Sequence, residues 1–282
     1  IYNQKMNRLS IYFLTYNRIH ENIFNSLNVI ASFKEELKSR IDVYLINDNS
    51  DNKDYEIKLE KILESKKYKF INYKKNPKNF GIVANYLNSV SQCKTEYIQF
   101  ICDDDYIQKS IQDLLTKILI EKNEENIASY FWKYNELRDK HIIRTSKLMS
   151  FRSDFKTSRM IKFLFNQSDM YMHGIHSVKY LKKFRFSKFL LVKGPISWGY
   201  LMIVNQLYFG KIIVYDNDLW CYNSNSEKHY LRDSSKSKVY FLYLYLLREI
   251  ELHIRFLFQS KNIIVLIFLP FILSKKIFKR IL

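Results

Sequence analysis

Three consecutive carboxylates, Asp103, Asp104 and Asp105, stand in the stretch "YIQFICDDDYI" (residues 97–107), directly after an apolar run. Carboxylates this close repel one another and are costly to take out of water, so they need open solvent or a cation. Mg²⁺ or Mn²⁺ suits such a set, because one or two carboxylates hold it and phosphate oxygens of a substrate complete its shell. The plain alternative is an acidic surface turn capping a helix that begins near Ser110. Placement directly behind a buried-looking strand favours the cation. Two more polar clusters follow apolar runs in the same way, "TYNR" (Thr15–Arg18) and "NDNSDN" (Asn47–Asn52).

These clusters need elements to bring them together. "LSIYFLT" (9–15) is β-rich and apolar, and Ile19, Ile23, Leu27, Ile30, Phe33 and Leu37 follow at helical spacing. "IDVYLIN" (41–47) predicts a second strand and 55–65 a helix; "YKFINY" (68–73) predicts a third strand and 79–90 a helix; "EYIQFIC" (96–102) predicts a fourth strand. Strands alternating with helices imply right-handed crossovers and a mainly parallel sheet. Ligands of such sheets bind beyond the carboxyl ends of the strands, which is where all three polar clusters fall. Further along, 113–121 reads as a helix, "IASYFWKYN" (127–135) as a strand, and "HIIRTSKLM" (141–149) as another that could pair with it.

Composition sets wider limits. The chain has 282 residues, 47% of them apolar, enough for a large folded core. Its net charge of +18 suggests an anionic partner, although a sequence this rich in Lys, Asn, Ile, Tyr and Phe carries part of that charge as compositional bias. Cys93, Cys102 and Cys221 have no C-x-x-C spacing, so neither a zinc framework nor a disulfide scaffold is indicated, and a reducing cytosol fits. No secretory signal is visible.

Taken in order, "IYFLTYNR", "VYLINDNSDN", "NPKNFGIVANYLNSV" and "YIQFICDDDYI" resemble the nucleotide-binding half of glycosyltransferase family 2, over about residues 9–107. The resemblance implies a GT-A, Rossmann-like α/β fold: a mainly parallel mixed sheet flanked by helices. It implies inverting transfer of a sugar from a nucleotide-diphosphate donor, with Mg²⁺ or Mn²⁺, to a glycan or lipid-linked acceptor in surface-polysaccharide synthesis. It places Thr15, Asn17 and Arg18 beside the nucleotide, makes Asp48 an acceptor for the base, and points to Asn79, Gly81 and Asn85 near base and ribose. Asp103 and Asp105 become the metal ligands of a D-x-D motif, with Asp103 and Asp104 near ribose or donor sugar. The expected division is 1–150 for the nucleotide-sugar half, 151–232 for the acceptor half of the same domain, and 233–282 for a C-terminal helical extension.

An inverting transfer also needs a base for the acceptor hydroxyl. Relatives often carry an acid at a helix start before a late strand, but here Ser197 and Trp198 occupy that place, and no carboxylate occurs between Lys193 and Tyr215. The segment "QSDMYMHGIHSVKYL" (167–181) offers Asp169, His173 and His176, of which Asp169 and His173 are the candidate bases. Asp216 and Asp218 read as turn residues after the late strand. Trp132 and Tyr134 suit a sugar face or, more simply, the core.

Residues 239–282 combine apolar stretches with Lys275, Lys276, Lys279 and Arg280. The run 263–273 is too short to span a bilayer, where about 20 residues are needed, but suits peripheral contact with the inner face of a plasma membrane. Two other classes compete: a catalytically degraded binding protein on the same fold, and a nucleic-acid binder. The second is disfavoured, since the basic residues are dispersed, no known motif is present, and clustered aspartates repel phosphate.

Overall fold

The computed structural model describes residues 8–17, 19–103, 105–121, 125–138, 141–145, 148–166, 173–183 and 195–223. Among them nine strands form one mixed α/β sheet: β1 (Leu9–Thr15), β2 (Ile41–Asn47), β3 (Ile71–Lys75), β4 (Tyr97–Cys102), β5 (Tyr106–Ile107), β6 (Ile127–Arg138), β7 (His141–Thr145), β8 (Ile175–Ser177) and β9 (Lys211–Asn223). Their order is β3-β2-β1-β4-β8-β6-β9-β5, with β7 hydrogen-bonded to β6 off this path. The first four strands are all parallel, as the alternating pattern requires. β8 inserts antiparallel between β4 and β6, so the second half of the chain completes the sheet of the first.

The helices are α1 (Glu21–Ala31), α2 (Glu35–Lys38), α3 (Lys53–Leu63), α4 (Gly81–Gln92), α5 (Ile111–Thr116), α6 (Lys156–Phe165), α7 (Val178–Leu181) and α8 (Pro195–Phe209). β1 shows how they cover the sheet. Leu9, Ile11 and Phe13 face a core that includes Ile23 and Leu27 of α1 and Tyr55 of α3, whereas Tyr12 faces a second core with Tyr86 of α4, Phe163 of α6 and Met202 of α8. Strand side chains alternate between faces, and a strand covered on both sides must be apolar at nearly every position.

Several boundaries differ from the sequence expectations. The helical spacing from Ile19 to Leu37 is divided between α1 and α2, because the chain turns at Ser32, whose hydroxyl donates to the Val29 carbonyl at 2.7 Å. The third strand begins at Ile71 instead of Tyr68. Lys66–Tyr68 form a 3₁₀ turn in which the buried Tyr68 donates its hydroxyl to Asn28 Oδ1 at 2.7 Å, so this aromatic anchors a turn against α1. The helix expected over 113–121 is α5 followed by a single π turn, Lys117–Glu121. Asp216 and Asp218 lie inside β9, not in a turn; register shifts against β6 fall beside them, and Lys133 pairs with Asp216 at 2.5 Å. A bulge interrupts the alternation of a strand locally, so the sequence there reads as a turn.

Among the described residues no helix is long and apolar enough to cross a membrane. The stretch 239–282 lies outside the described residues.

Candidate active site

The carboxyl ends of β3, β2, β1 and β4 are aligned by register: Lys75 opposite Asn47, Asn47 opposite Thr15, and Leu14 opposite Cys102. The hydrogen-bond ladder continues past the strand ends, with the Asp48 amide donating to the Thr15 carbonyl at 2.9 Å and the Asn76 amide to the Asn47 carbonyl at 2.8 Å. The loops behind the strands are therefore held as one rim. Asn17 and Asn49 take positive φ (55° and 61°), which asparagine tolerates better than most side chains. The Asn17 amide donates to Ser50 Oγ at 2.8 Å, and Asn47 Oδ1 accepts from the Ser50 amide at 2.7 Å.

Thr15 is buried and gives its one hydroxyl proton to the Ile46 carbonyl at 2.9 Å, so the Tyr55 hydroxyl, 2.6 Å away, donates to Thr15. Burial pushes the Tyr55 hydroxyl well above its ordinary range, and the charge of Asp103 adds to that in the same direction. Tyr55, Ser50 and Asn76 were not singled out from the sequence. Tyr55 reads there as one more helical apolar residue, and only the crossover geometry shows that its hydroxyl reaches the strand end.

Asp48 organises the neighbouring loop. Its Oδ1 accepts from Asn76 Nδ2 at 2.9 Å and the Phe80 amide at 2.8 Å, and its Oδ2 from the Gly81 amide at 2.9 Å. Burial alone raises its pKa, but hydrogen bonds from the Phe80 amide, Asn85, Asn76 and the Gly81 amide outweigh it and hold the carboxyl below the ordinary value. Gly81 has φ of 74°, a conformation that asks for glycine. Asn79 Oδ1 accepts from the Gly81 amide at 2.8 Å. Asn85 donates to the Gly81 carbonyl at 3.1 Å and accepts from Asn76 at 2.5 Å. Asp48, Asn79, Gly81 and Asn85 thus meet in one loop at the start of α4, with their polar atoms committed to its shape.

At the end of β4 the Asp105 amide donates to the Cys102 carbonyl at 3.2 Å, closing a tight turn. Asp105 is 0% exposed, so its carboxylate is not part of a solvated surface turn. His173 Nδ1 stands 3.6 Å from Asp105 Oδ2, and Cys102, Asp105 and His173 each present a ligand atom within 4.8 Å of the others. A buried carboxylate, an imidazole and a thiol in this arrangement fit a divalent cation, since a buried anion needs positive charge beside it. Asp103 is not in that group. Arg18, Asp104 and Asp169 lie outside the described residues. His176 is fully buried in β8, 2.9 Å from Ser129 Oγ, and serves the core. Trp132 and Tyr134 are likewise core residues.

The family model described as Glycosyl transferase family 2 matches residues 10–181. The crystal structure of S. aureus TarS 1-349 in complex with UDP-GlcNAc is similar at a TM-score of 0.60 and 17% identity, over 86% of this chain and 66% of that one. TarS 1-349 in complex with UDP gives 0.55 and 17% identity, over 89% and 70%. The structure titled S. aureus TarS gives 0.54 and 16%, over 91% of this chain but 44% of that one. This chain therefore spans just under two thirds of the fragment solved with UDP-GlcNAc and less than half of the longer TarS chain. Identities this low speak to the fold. No curated protein matches.

Proposed function

The chain belongs to glycosyltransferase family 2, and from that premise we propose that it transfers a sugar, with inversion and the help of a divalent cation, from a nucleotide-diphosphate donor to a glycan or lipid-linked acceptor. The observation that carries this reading is the convergence, at the carboxyl ends of β1, β2 and β4, of the Thr15–Tyr55 pair, the Asp48-anchored Gly81 loop and the Asp105–His173 pair. UDP-GlcNAc bound in a protein of the same fold makes a uridine nucleotide the first donor to test.

In this reading Thr15, Asn17 and Arg18 flank the nucleotide, and Asp48 acts by fixing the Gly81 loop against base and ribose, together with Asn79 and Asn85. Asp103 and Asp104 face ribose or donor sugar, while Asp105, with His173, holds the cation. A bound Mg²⁺ or Mn²⁺ would offset the charge that grows on the leaving diphosphate. Because His173 pairs with Asp105, it is assigned to the cation, which leaves Asp169 as the candidate to accept the acceptor's hydroxyl proton. Residues 151–232 form the acceptor side. Residues 239–282 carry peripheral contact with a membrane, consistent with a lipid-linked acceptor in surface-polysaccharide assembly.

The test is thermal unfolding with UDP, GDP, dTDP and CMP, with and without Mn²⁺, on wild type and Asp105→Asn, since a ligand of the folded state raises its melting temperature. A shift that needs Mn²⁺ and disappears in the variant supports the proposal; no shift with any nucleotide overturns it. One observation favours a binding protein on the same fold: the sequence of α8 and the residues after it hold no carboxylate before Asp216. Donor binding without transfer or slow donor hydrolysis would establish that second reading.

A further inference from the structure

Cys102 is held by the same turn that holds Asp105. The hydrogen bond from the Asp105 amide to the Cys102 carbonyl sets the two residues at the ends of one turn, and their side chains meet there. His173 arrives from the opposite direction, on the segment that leads into β8. Its position is enforced by Gly174, where a Cβ would fall 2.2 Å from the Phe131 ring and 2.6 Å from the Tyr130 carbonyl oxygen. Sulfur, carboxylate oxygen and ring nitrogen lie within 4.8 Å of one another, and the nitrogen-to-oxygen separation is 3.6 Å. Zinc-ligand bond lengths put neighbouring donors of a tetrahedral ion about 3.3–3.6 Å apart. The nitrogen and oxygen already have that spacing, and side-chain rotation of Cys102 supplies the remainder.

We propose that Cys102, as a thiolate, is a third protein ligand beside Asp105 and His173, and that the site consequently selects a thiophilic divalent cation, Zn²⁺ or Co²⁺, over Mg²⁺. The inference rests on the reading that a cation belongs at this strand end, and it says which one. Mg²⁺ demands oxygen donors and keeps its waters, whereas a thiolate–imidazole–carboxylate set suits a borderline-soft ion. Binding displaces the thiol proton to solvent. Three protein donors leave one tetrahedral position open, as catalytic zinc sites do, and an oxygen of the donor diphosphate fills it. Asp105 is sealed from solvent while Cys102 and His173 are partly exposed, so the ion enters from their side.

The experiment is a titration of the metal-free full chain with Co²⁺ alone, recording visible d–d absorption and the near-ultraviolet sulfur-to-cobalt charge-transfer band. The expected result is a charge-transfer band that saturates at a single equivalent, is lost in Cys102→Ser, is kept in Cys93→Ser and Cys221→Ser, and is not bleached by excess Mg²⁺. Cobalt uptake without that band, persistence of the band in Cys102→Ser, bleaching by Mg²⁺, or no uptake would each overturn the proposal. If Cys102→Ser fails to give a native circular dichroism spectrum, protection of Cys102 against iodoacetamide in the wild type decides. Zn²⁺ must slow alkylation of the Cys102 peptide, and unchanged alkylation overturns the assignment. The nucleotide thermal shift, run in parallel with Co²⁺ as well as Mn²⁺, separates the two readings. A Mn²⁺-dependent shift with no thiolate band leaves the transferase standing without its cysteine, whereas a thiolate band with no nucleotide shift leaves the metal site without the transferase.

Discussion

Asp48 is the side chain whose replacement should read out most directly. Its carboxylate accepts two backbone amides and an asparagine side chain, and hydrogen bonds to a charged acceptor contribute about 1.5–3 kcal/mol each. Asp48→Asn keeps the shape but turns one acceptor into a donor facing another donor, so we expect a loss of about 2 kcal/mol in urea unfolding. The pH dependence has a definite sign. A folded pKa below the unfolded value of about 3.9 makes the contribution fully present above that pH and lost as pH falls through the folded pKa. The stability gap between wild type and Asp48→Asn should therefore stay constant from pH 8 to about pH 5 and close below about pH 4. Asp105 should behave oppositely. Its burial means that Asp105→Asn removes a charge from an enclosed site, so the metal-free melting temperature should hold or rise while Mn²⁺-dependent nucleotide binding is lost. A fall of several degrees in the metal-free variant would show that the carboxylate is structural. Tyr55→Phe, which takes away the donor to Thr15, should cost about 1 kcal/mol and weaken nucleotide binding.

Among the elements, the four parallel strands were legible because each is covered on both faces and so reads as an unbroken apolar run, as in "LSIYFLT" and "YIQFIC". The rim loops were legible in position, since the strand-to-helix alternation puts their polar residues at one end of the sheet. What they do was less legible. Asp48 reads as a free acceptor in sequence, yet it is the hub of the Gly81 loop, and that shows only when Asn76, Phe80 and Asn85 are seen folded back on it. Cys102 reads as the apolar end of a strand until the segment before β8 brings His173 across to it. Long-range pairings of this kind leave no local pattern. Two glycines test the elements that carry the site. Gly81→Ala meets no neighbouring atom, so only its positive φ opposes it, and a loss of about 1–2 kcal/mol with weakened nucleotide binding is expected. Gly174→Ala drives a methyl into Phe131 and the Tyr130 carbonyl, and we expect a loss of about 3 kcal/mol with displacement of His173, visible as loss of cobalt absorption before any loss of secondary structure.

For the molecule as a whole, the sheet is one continuous layer whose two ends come from different parts of the chain. Residues up to Cys102 build the parallel end, and β6, β8 and β9 extend it from the other half. A net charge of +18 should draw anionic donors toward this surface, so nucleotide association should slow as salt rises while the metal requirement stays unchanged; stopped-flow binding at 50 and 500 mM NaCl, spanning the range over which screening at about 10 Å becomes severe, measures it. β5 has a further consequence. Among the described strands, this two-residue strand leaves the aspartate turn and pairs with the far end of β9, Tyr106 with Cys221 and Ile107 with Trp220. During synthesis on the ribosome, the acidic turn therefore leaves the exit tunnel long before the strand that clamps its downstream side. Pairing between such distant segments is slow because the intervening loop must close first. The new chain thus passes through an interval in which its parallel sheet can form while β5 rests on α1 alone, through the Ile107 amide and Ser26, and β9 supplies the strand pairing that completes the downstream side of the turn.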